Sequence, residues 1–451
     1  MIVMKFGGSS VANAERIRHV AEIVKTQLDR KPVLILSAMG DTTDHLLEAG
    51  DEACQKSKFS LAEIEKLHNK TLKDLGLEKA QKEIQPLLDE LGRLLSGIAL
   101  IRELTDRTRD YLVSFGERLC VRIVSAYFNS IHIRARAHDA WDLGFISDSN
   151  YGHAELLGES WEKIPEMVLP LWDSGELPVV TGFIARESGG NITTLGRGGS
   201  DLSAAMIAAS CKAEEAQYWK DVDGILSADP RIVKNAKPVE AISYEAAAEL
   251  AYFGAQVLHP RAMQPCMQTG TPVVVKNSYN YNAPGTRIIS SPGKRQRPIQ
   301  ALSVRKNVTL VDIVSSRMLG QYGFLAEVFA CFAKHSLSVD MVATSEVSVS
   351  LTLDAVHDLG ALKKDLSRIA RVEVKTGKAI VTLVGDVSRS SEILARSFRT
   401  CELLGIQVQM ISQGASKLNI SFIVDDREAE DIIRALHEDF FENPANMGEK
   451  K

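Results

Sequence analysis

TTLGRGGSDLSAAMIAA, Thr193 to Ala209, sets a basic residue, two glycines and an acid where a loop leaving a strand runs into a helix. Glycines let backbone N–H groups approach an anion closely. The Ala, Ser, Met, Ile and Leu helix that follows points the positive end of its dipole back at the loop, which favours a phosphate or carboxylate there. Arg197 can clamp either anion bidentately. A second loop of similar chemistry opens the chain: the apolar strand Met1–Met4 leads to Lys5, then Phe6-Gly7-Gly8-Ser9-Ser10, then a helix with apolar positions at Ile17, Val20, Ile23 and Val24. Two cation-bearing glycine loops suggest a site that holds phosphates between them. Taken alone, Gly7-Gly8 reads equally as a tight strand-to-helix turn, and Asp201 as an ordinary acid in a helix's first turn. Neither loop has Walker A spacing, and no protein-kinase catalytic loop or metal-binding triplet occurs.

At 451 residues the chain is too long for one compact core, and a prior of roughly 150 residues per domain gives two or three. Hydrophobic residues at 45% and charged residues at 25% describe an ordinary globular protein. A net charge of −5 gives no electrostatic reason to bind nucleic acid or an anionic membrane. No run approaches the ~18 apolar residues of a membrane span. Because Met1 passes straight into a strand, neither a signal nor a transit peptide is expected. Six cysteines (Cys54, Cys120, Cys211, Cys266, Cys331, Cys401) are scattered without metal spacing and read as small hydrophobes in a reducing compartment. Cys120, beside Gly116-Glu117, carries the alternative reading of a catalytic thiol.

Short β-branched runs (Val33–Leu36, Pro178–Gly182, Pro272–Lys276) alternate with helical stretches up to about Ile288, the pattern of a largely parallel sheet sandwiched by helices. Ligands of such sheets bind beyond the carboxyl ends of the strands, where both glycine loops fall. From about 59 to 129 the pattern is helical, with Leu87, Leu91, Leu94, Leu95 and Ile98 on one face, and is expected to be an insertion. The basic, Gly- and Pro-containing stretch Ser290–Pro298 marks a linker, drawn at 291–300. Beyond it the sequence repeats: Phe324–Leu353 overlays Ile393–Phe422 without a gap, matching Leu325 with Leu394, Phe329 with Phe398, Met341 with Met410 and Leu351 with Ile420. Each copy reads strand, helix, strand, strand, so two ferredoxin-like α+β units are expected, at 301–376 and 377–445, after a first domain at 1–290. Asp340 and Glu346 of the first copy correspond to Gln409 and Ala415 of the second. A cationic ligand therefore finds carboxylates only in the first, unless both acids are merely solvated turn residues.

With KFGGSSV (Lys5–Val11), SFGE (Ser114–Glu117), TTLGRGGSD (Thr193–Asp201), KDVDGILSADPR (Lys220–Arg231) and FGAQVLHP (Phe253–Pro260), the whole chain resembles the aspartokinases. MVATSEVSVSLTLD (Met341–Asp354) and MISQGASKLNISFIV (Met410–Val424) resemble their paired ACT domains, in the wording of the lysine-sensitive, single-activity enzymes of plant type. The resemblance implies the amino-acid-kinase fold and Mg²⁺- and ATP-dependent phosphorylation of the L-aspartate side-chain carboxylate, at the head of lysine, threonine and methionine biosynthesis. By the same resemblance Lys5 bridges the transferred and β-phosphates and Asp201 organises the transfer site. Glu117 receives the substrate ammonium and Arg197 its carboxylate, while Ser37, Thr43, Gly198, Gly199 and Ser200 line the aspartate pocket. Gly7, Gly8, Ser9, Asp221 and Arg231 fall at nucleotide contacts. Mg²⁺ is expected to be held through the ATP phosphates rather than by a protein cage. An aspartate carboxylate is already ionised at neutral pH and needs no general base. In bacterial lysine-sensitive relatives a tyrosine and a lysine contact the nucleotide where this chain has Leu226 and Gln256. Lys220 replaces a small polar residue and is expected to supply the charge missing at Gln256.

Met318, Gln321, Phe324, Leu325, Ser338, Val339, Asp340, Ser345 and Glu346 resemble the family's allosteric lysine site. A ligand with two ammonium groups needs carboxylates, because a desolvated charge is costly unless paired. The resemblance implies feedback inhibition by lysine across a homodimer or higher homo-oligomer of ACT units, with S-adenosylmethionine as a co-effector in plant-type members. A cytoplasmic location is expected, or the plastid stroma for a processed plant-type protein. Two other readings share some of these features: a different carboxylate or carbamate kinase, and a non-catalytic amino-acid sensor. The first usually lacks the repeated C-terminal module, and the second can lose Lys5, Arg197 and Asp201, which are all present here.

Overall fold

The computed structural model describes residues 1–254, 258–293, 297–315, 322–354, 358–413 and 418–442. The chain divides into two compact units, Met1–Ile225 with Glu240–Tyr244 and Val257–Ser291, and Leu226–Val239 with Glu245–Gln256 and Pro292–Lys451. The first expected domain, 1–290, thus contributes two segments to the second unit. Their apolar residues account for this, since Ala228, Val233 and Phe253 are buried with side chains of the C-terminal region.

From Met1 to Ser291 the chain runs β1 (Ile2–Phe6), α1 (Ala14–Lys25), β2 (Pro32–Leu36), α2 (Thr42–Lys56), α3 (Ala62–Asp74), α4 (Gln81–Ile101), α5 (Asp106–Ser130), β3 (Ala135–His138), β4 (Ile146–Ser147), α6 (Glu159–Asp173), β5 (Leu177–Thr181), β6 (Ile184–Glu187), β7 (Ile192–Thr194), α7 (Gly199–Ser210), β8 (Glu215–Lys220), β9 (Ala241–Ile242), α8 (Tyr244–Tyr252), which beyond Tyr244 belongs to the second unit, α9 (Pro260–Thr269), β10 (Val273–Asn277) and β11 (Thr286–Ile288). Among the described residues eight strands make one sheet in the order β3-β5-β2-β1-β8-β10-β11-β9, parallel except for β10 against β11. Every residue of β1 and β2 is buried, as a central parallel sheet covered on both faces requires. Lys5 pairs in register with Ile35 on one side and Tyr218 on the other, so the ends of β1, β2 and β8 open together. Helix α7 is mostly apolar beyond its first turn and buried from Gly199 to Ala209, which fixes its N-terminus against the sheet. The expected helical insertion is α3, α4 and α5, with Leu87, Leu91, Leu95 and Ile98 buried and Leu94 packed beside them.

The second unit continues with β12 (Ile299–Val314), α10 (Phe324–Lys334), β13 (Val342–Thr344), β14 (Ser348–Leu353), α11 (Gly360–Leu366), β15 (Arg371–Gly385), α12 (Ser390–Leu404), β16 (Met410–Gln413), β17 (Asn419–Asp425) and α13 (Ala429–His437). The residues expected as the end of the linker, Ile299 and Gln300, already belong to β12. Both repeats share one sheet, ordered β13-β14-β12-β15-β17-β16 among the described residues. Its two central strands are long. The later half of β12 pairs with β14 and the first half of β15, whereas Ile299–Arg305 pair with Gly385–Ile380 of β15. Ile299 and Leu302 are accordingly buried with Val381, Leu383 and Phe422 in the second repeat's core. The second repeat therefore takes its last strand from residues that precede the first. No helix among the described residues is long and apolar enough to cross a membrane.

Candidate active site

Beyond the carboxyl ends of β1 and β2 lies a cleft of about 500 Å³ lined by Lys5, Gly8, Ser37, Thr43, Glu117 and the run Gly196–Asp201, with Gly152, His153 and Phe183 at its wall. All the residues expected for catalysis and for the aspartate pocket meet here. Lys5 Nζ stands 2.6 Å from Asp201 Oδ1, and Lys220 Nζ, at the end of β8, stands 3.4 Å from Asp201 Oδ2. Burial alone would raise the Asp201 carboxyl, but Lys5 and then Lys220 outweigh it and hold it below its ordinary value. Burial depresses Lys220, opposed by Asp201 and reinforced by Lys5. With both lysines protonated, the three side chains together carry a net positive charge.

The N-terminus of α7 adds to that field. Gly198, at φ +76, caps the helix with no side chain, in the left-handed backbone that glycine adopts at least cost. Arg197 is exposed and forms no ion pair among the described residues, so its guanidinium is available to an incoming anion. Ser37 Oγ bonds Ser200 Oγ at 3.1 Å, tying the loop after β2 to the first turn of α7.

Glu117 comes from the middle of α5. A Cβ on Gly116 would lie 2.7 Å from Ala38 Cβ, so only glycine lets the helix approach the loop after β2 this closely. Glu117 Oε1 then accepts from Ala38 N at 3.1 Å, while Oε2 is buried and meets no hydrogen-bond partner among the described residues. Burial pushes its carboxyl up to about 8, with Ala38 N–H and Lys5 pulling the other way. Such a group becomes an anion readily once a cation arrives beside it. Cys120, one turn further along, is fully buried, and burial drives its thiol far above the ordinary range, which removes the catalytic-thiol reading.

The nucleotide candidates are less gathered. Gly7 and Ser9 flank the cleft residue Gly8, and Asp221 is exposed one residue past β8. Lys220, expected to supply the charge missing at Gln256, bonds Asp201 Oδ2 at 3.4 Å. Leu226 and Arg231 belong to the second unit, where the Arg231 guanidinium is held by Asp229 through Nε at 3.0 Å and Nη2 at 2.6 Å. Gln256 lies outside the described residues, as do Met318 and Gln321 of the expected lysine site. Of the remaining lysine-site residues, Phe324 is buried at the start of α10, Leu325, Ser338, Ser345 and Glu346 are exposed, and Val339 and Asp340 are half-buried. Asp340 is not a free carboxylate: Tyr252 Oη donates to its Oδ1 at 2.8 Å, and Arg305 Nη1 lies 3.3 Å from Oδ2.

Two site-supporting residues escaped the sequence reading. Asp110 Oδ2 accepts from Gly152 N at 2.9 Å and Thr194 N at 2.8 Å, while Oδ1 accepts from Thr194 Oγ1 at 2.8 Å. Arg261 donates to Ala154 O at 3.0 Å and Leu195 O at 3.3 Å. Together they hold the two loops that carry His153 and Arg197. Asp110 stands two helical turns before Glu117 on the face that also carries Ser114, a spacing that puts both acids on one side of α5 but does not point to Asp110's partners. Among the described residues no cluster of three or more His, Cys, Asp or Glu side chains could hold a metal ion.

Known proteins share this architecture. Residues 1–277 match the amino acid kinase family, and residues 311–363 and 381–440 match the ACT domain. Aspartokinase 1, chloroplastic, of Arabidopsis thaliana is 47% identical over 98% of this chain and 80% of its own length. The crystal structure of E. coli aspartokinase III in complex with aspartate and ADP superposes with a TM-score of 0.81 at 34% identity, covering 98% of this chain and all (100%) of that one. The same E. coli protein in complex with lysine and aspartate also gives 0.81 at 34% identity, covering 98% and 99% of the two chains.

Proposed function

This chain belongs to the amino acid kinase family, within it to the aspartokinases, and from that premise we propose how its residues divide the reaction and its control. ATP and L-aspartate meet in the cleft between the two glycine loops. One aspartate side-chain oxygen attacks the γ-phosphorus as the bond to the β-phosphate oxygen breaks, giving 4-phospho-L-aspartate and ADP with no proton to move. Lys5 and the N–H groups of Gly8 and the first turn of α7 screen the phosphate charge, and Asp201 aligns Lys5 and Lys220. Arg197 grips the substrate α-carboxylate, and Glu117, ionised by the arriving ammonium, holds the other end. Ser37, Thr43 and Ser200 shape the pocket between them. Mg²⁺ would arrive on the ATP phosphates, whose charge it neutralises.

The observation that carries this reading is the single cleft in which Lys5, Asp201, Glu117 and Arg197 converge. Acyl-phosphate formation with ATP and L-aspartate, L-glutamate or N-acetylglutamate in turn tests it. Turnover with L-aspartate alone is expected, and equal turnover with either other acceptor would overturn the pocket assignment.

Control is proposed to come from lysine at the first ACT unit, on Asp340 and Glu346. The lysine complex of the E. coli relative supports this, as does the replacement of Asp340 by Gln409 in the second repeat. Leu325, Phe329 and Val342, all exposed on that unit, support its pairing with a second copy of the chain. Loss of inhibition by added lysine in Asp340→Ala is the expected result.

A further inference from the structure

Helix α5 carries a second buried acid that the proposed reaction does not use. Asp110 is 2% exposed and lies two turns before Glu117, so one rigid element holds both carboxylates. We propose that Asp110 is a positioning residue for the acceptor amino acid, setting across the cleft the separation of Glu117, which takes its ammonium, from Arg197, which takes its α-carboxylate. The inference rests on the reading of this cleft as the aspartate pocket.

Every group involved lies in the first compact unit. Two loops line the cleft side by side: one, between β4 and α6, brings Gly152 and His153, and the other, between β7 and α7, brings Gly196, Arg197 and Gly198. They are joined to each other, since Ala154 N donates to Thr194 O at 2.9 Å. At Gly196, where φ is +70, a Cβ would stand 2.8 Å from His153 Nδ1 and 3.0 Å from Gly152 O, so the loops touch. Asp110 fastens this pair to α5. Its Oδ2 accepts from Gly152 N at 2.9 Å and Thr194 N at 2.8 Å, and its Oδ1 from Thr194 Oγ1 at 2.8 Å. Among the described residues no other group of α5 hydrogen-bonds to either loop. Burial raises the Asp110 carboxyl, with these bonds pulling the other way and no cation beside it. What the loops take from it is therefore hydrogen bonding rather than charge. The start of α7 has an anchor of its own: Phe183 N donates to Ser203 Oγ at 3.1 Å, and Ser203 Oγ to Gly199 O at 3.0 Å. Asp201 and the Lys5 beside it thus keep their places when the Asp110 bonds are cut.

Steady-state constants of the full-length enzyme for L-aspartate and ATP, with thermal midpoints, test the proposal in Asp110, Thr194 and Arg197 variants. Asp110→Ala is expected to raise KM for aspartate about tenfold while KM for ATP stays within about twofold of its original value. Asp110→Asn keeps an oxygen for the two backbone N–H groups and turns an amide N–H toward Thr194 Oγ1, and is expected to restore most of the aspartate affinity. Thr194→Val is expected to raise KM for aspartate and Thr194→Ser to leave it near the original value; this pair decides the matter if Asp110→Ala does not fold. Equal rises in both KM values, a drop in thermal midpoint without a change in KM for aspartate, or an Asp110→Asn enzyme as weak as Asp110→Ala would overturn the positioning role. An unchanged KM for aspartate in Arg197→Ala would instead remove the pocket reading on which the role depends. A rise with Arg197→Ala and none with Asp110→Ala or Thr194→Val would refute the role and leave that reading standing.

Discussion

Lys5 Nζ and Asp201 Oδ1 are 2.6 Å apart, with only 10% and 9% of their side chains exposed. Neither residue is near the other in sequence; β1 supplies the lysine and the first turn of α7 the acid. Because Lys220 also reaches Asp201, at 3.4 Å, the acid keeps a partner when Lys5 is removed. Lys5→Met is therefore expected to fold and to lose acyl-phosphate production by a factor on the order of 10³, the scale of one deleted electrostatic contact to a transition state. Hydroxamate trapping of the acyl phosphate, beside a circular-dichroism melt, checks both halves. A folded and active Lys5→Met enzyme would dismiss the assignment of the cleft.

Glu117 is expected to impose a pH dependence on substrate binding. Burial pushes its carboxyl up from 4.5 to about 8, and the aspartate ammonium needs the ionised form. KM for aspartate should fall as pH rises toward 8 and level off above it, a slope that Glu117→Gln would abolish along with most of the binding. Stability runs the opposite way. A carboxyl whose folded pKa is raised contributes stability below its unfolded value, which is lost as pH rises through about 8. The Glu117→Gln protein should accordingly melt higher than the parent at alkaline pH, as calorimetry would record.

Asp340 is already shared between Tyr252 and Arg305, so an ammonium ligand must displace or join them. Removing the Tyr252 hydroxyl frees one carboxylate oxygen. Tyr252→Phe is expected to lower the lysine concentration for half-inhibition several-fold, in line with about 1 kcal/mol for one hydrogen bond. Titration calorimetry with lysine distinguishes this from a general loosening, which would weaken the ligand instead.

His68 is fully buried in α3 and its Nδ1 donates to Ile64 O at 2.7 Å. Burial lowers the ring from 6.5 to about 4. The unfolded chain therefore binds the extra proton first as pH falls. Stability tied to the neutral ring is complete above 6.5 and is lost progressively down to about 4, by an amount on the order of 3 kcal/mol. Denaturant midpoints measured across that window should flatten in His68→Gln, and an unchanged slope would show that another group controls the acid limb.

The sequence was enough for what depends on local pattern. Apolar runs at Ile2–Phe6 and Pro32–Leu36 marked buried parallel strands, and glycine-rich turns before Ala14–Lys25 and Gly199–Ser210 marked the two loops that line one cleft. An ungapped internal repeat announced two copies of one α+β unit. Periodicity and turn chemistry are short-range properties, and they leave their trace within a few residues of each position.

Other features depended on partners far away in the chain, and only tertiary structure decided them. Asp110 gave no sign of bonding Thr194, because a buried acid differs from a solvated one only in what surrounds it. Asp340 read as an open carboxylate until Tyr252 and Arg305 were brought against it. The loop Leu226–Val239 follows a kinase strand in sequence, yet Ala228 and Val233 bury their side chains with Leu436 and Phe440. In the same way the second repeat is completed by Ile299–Arg305, residues that come before the first. A strand's hydrophobic alternation states that it needs a neighbour on its edge. Which neighbour it takes is settled by the burial of whole faces across long stretches of chain, a quantity that no local window contains.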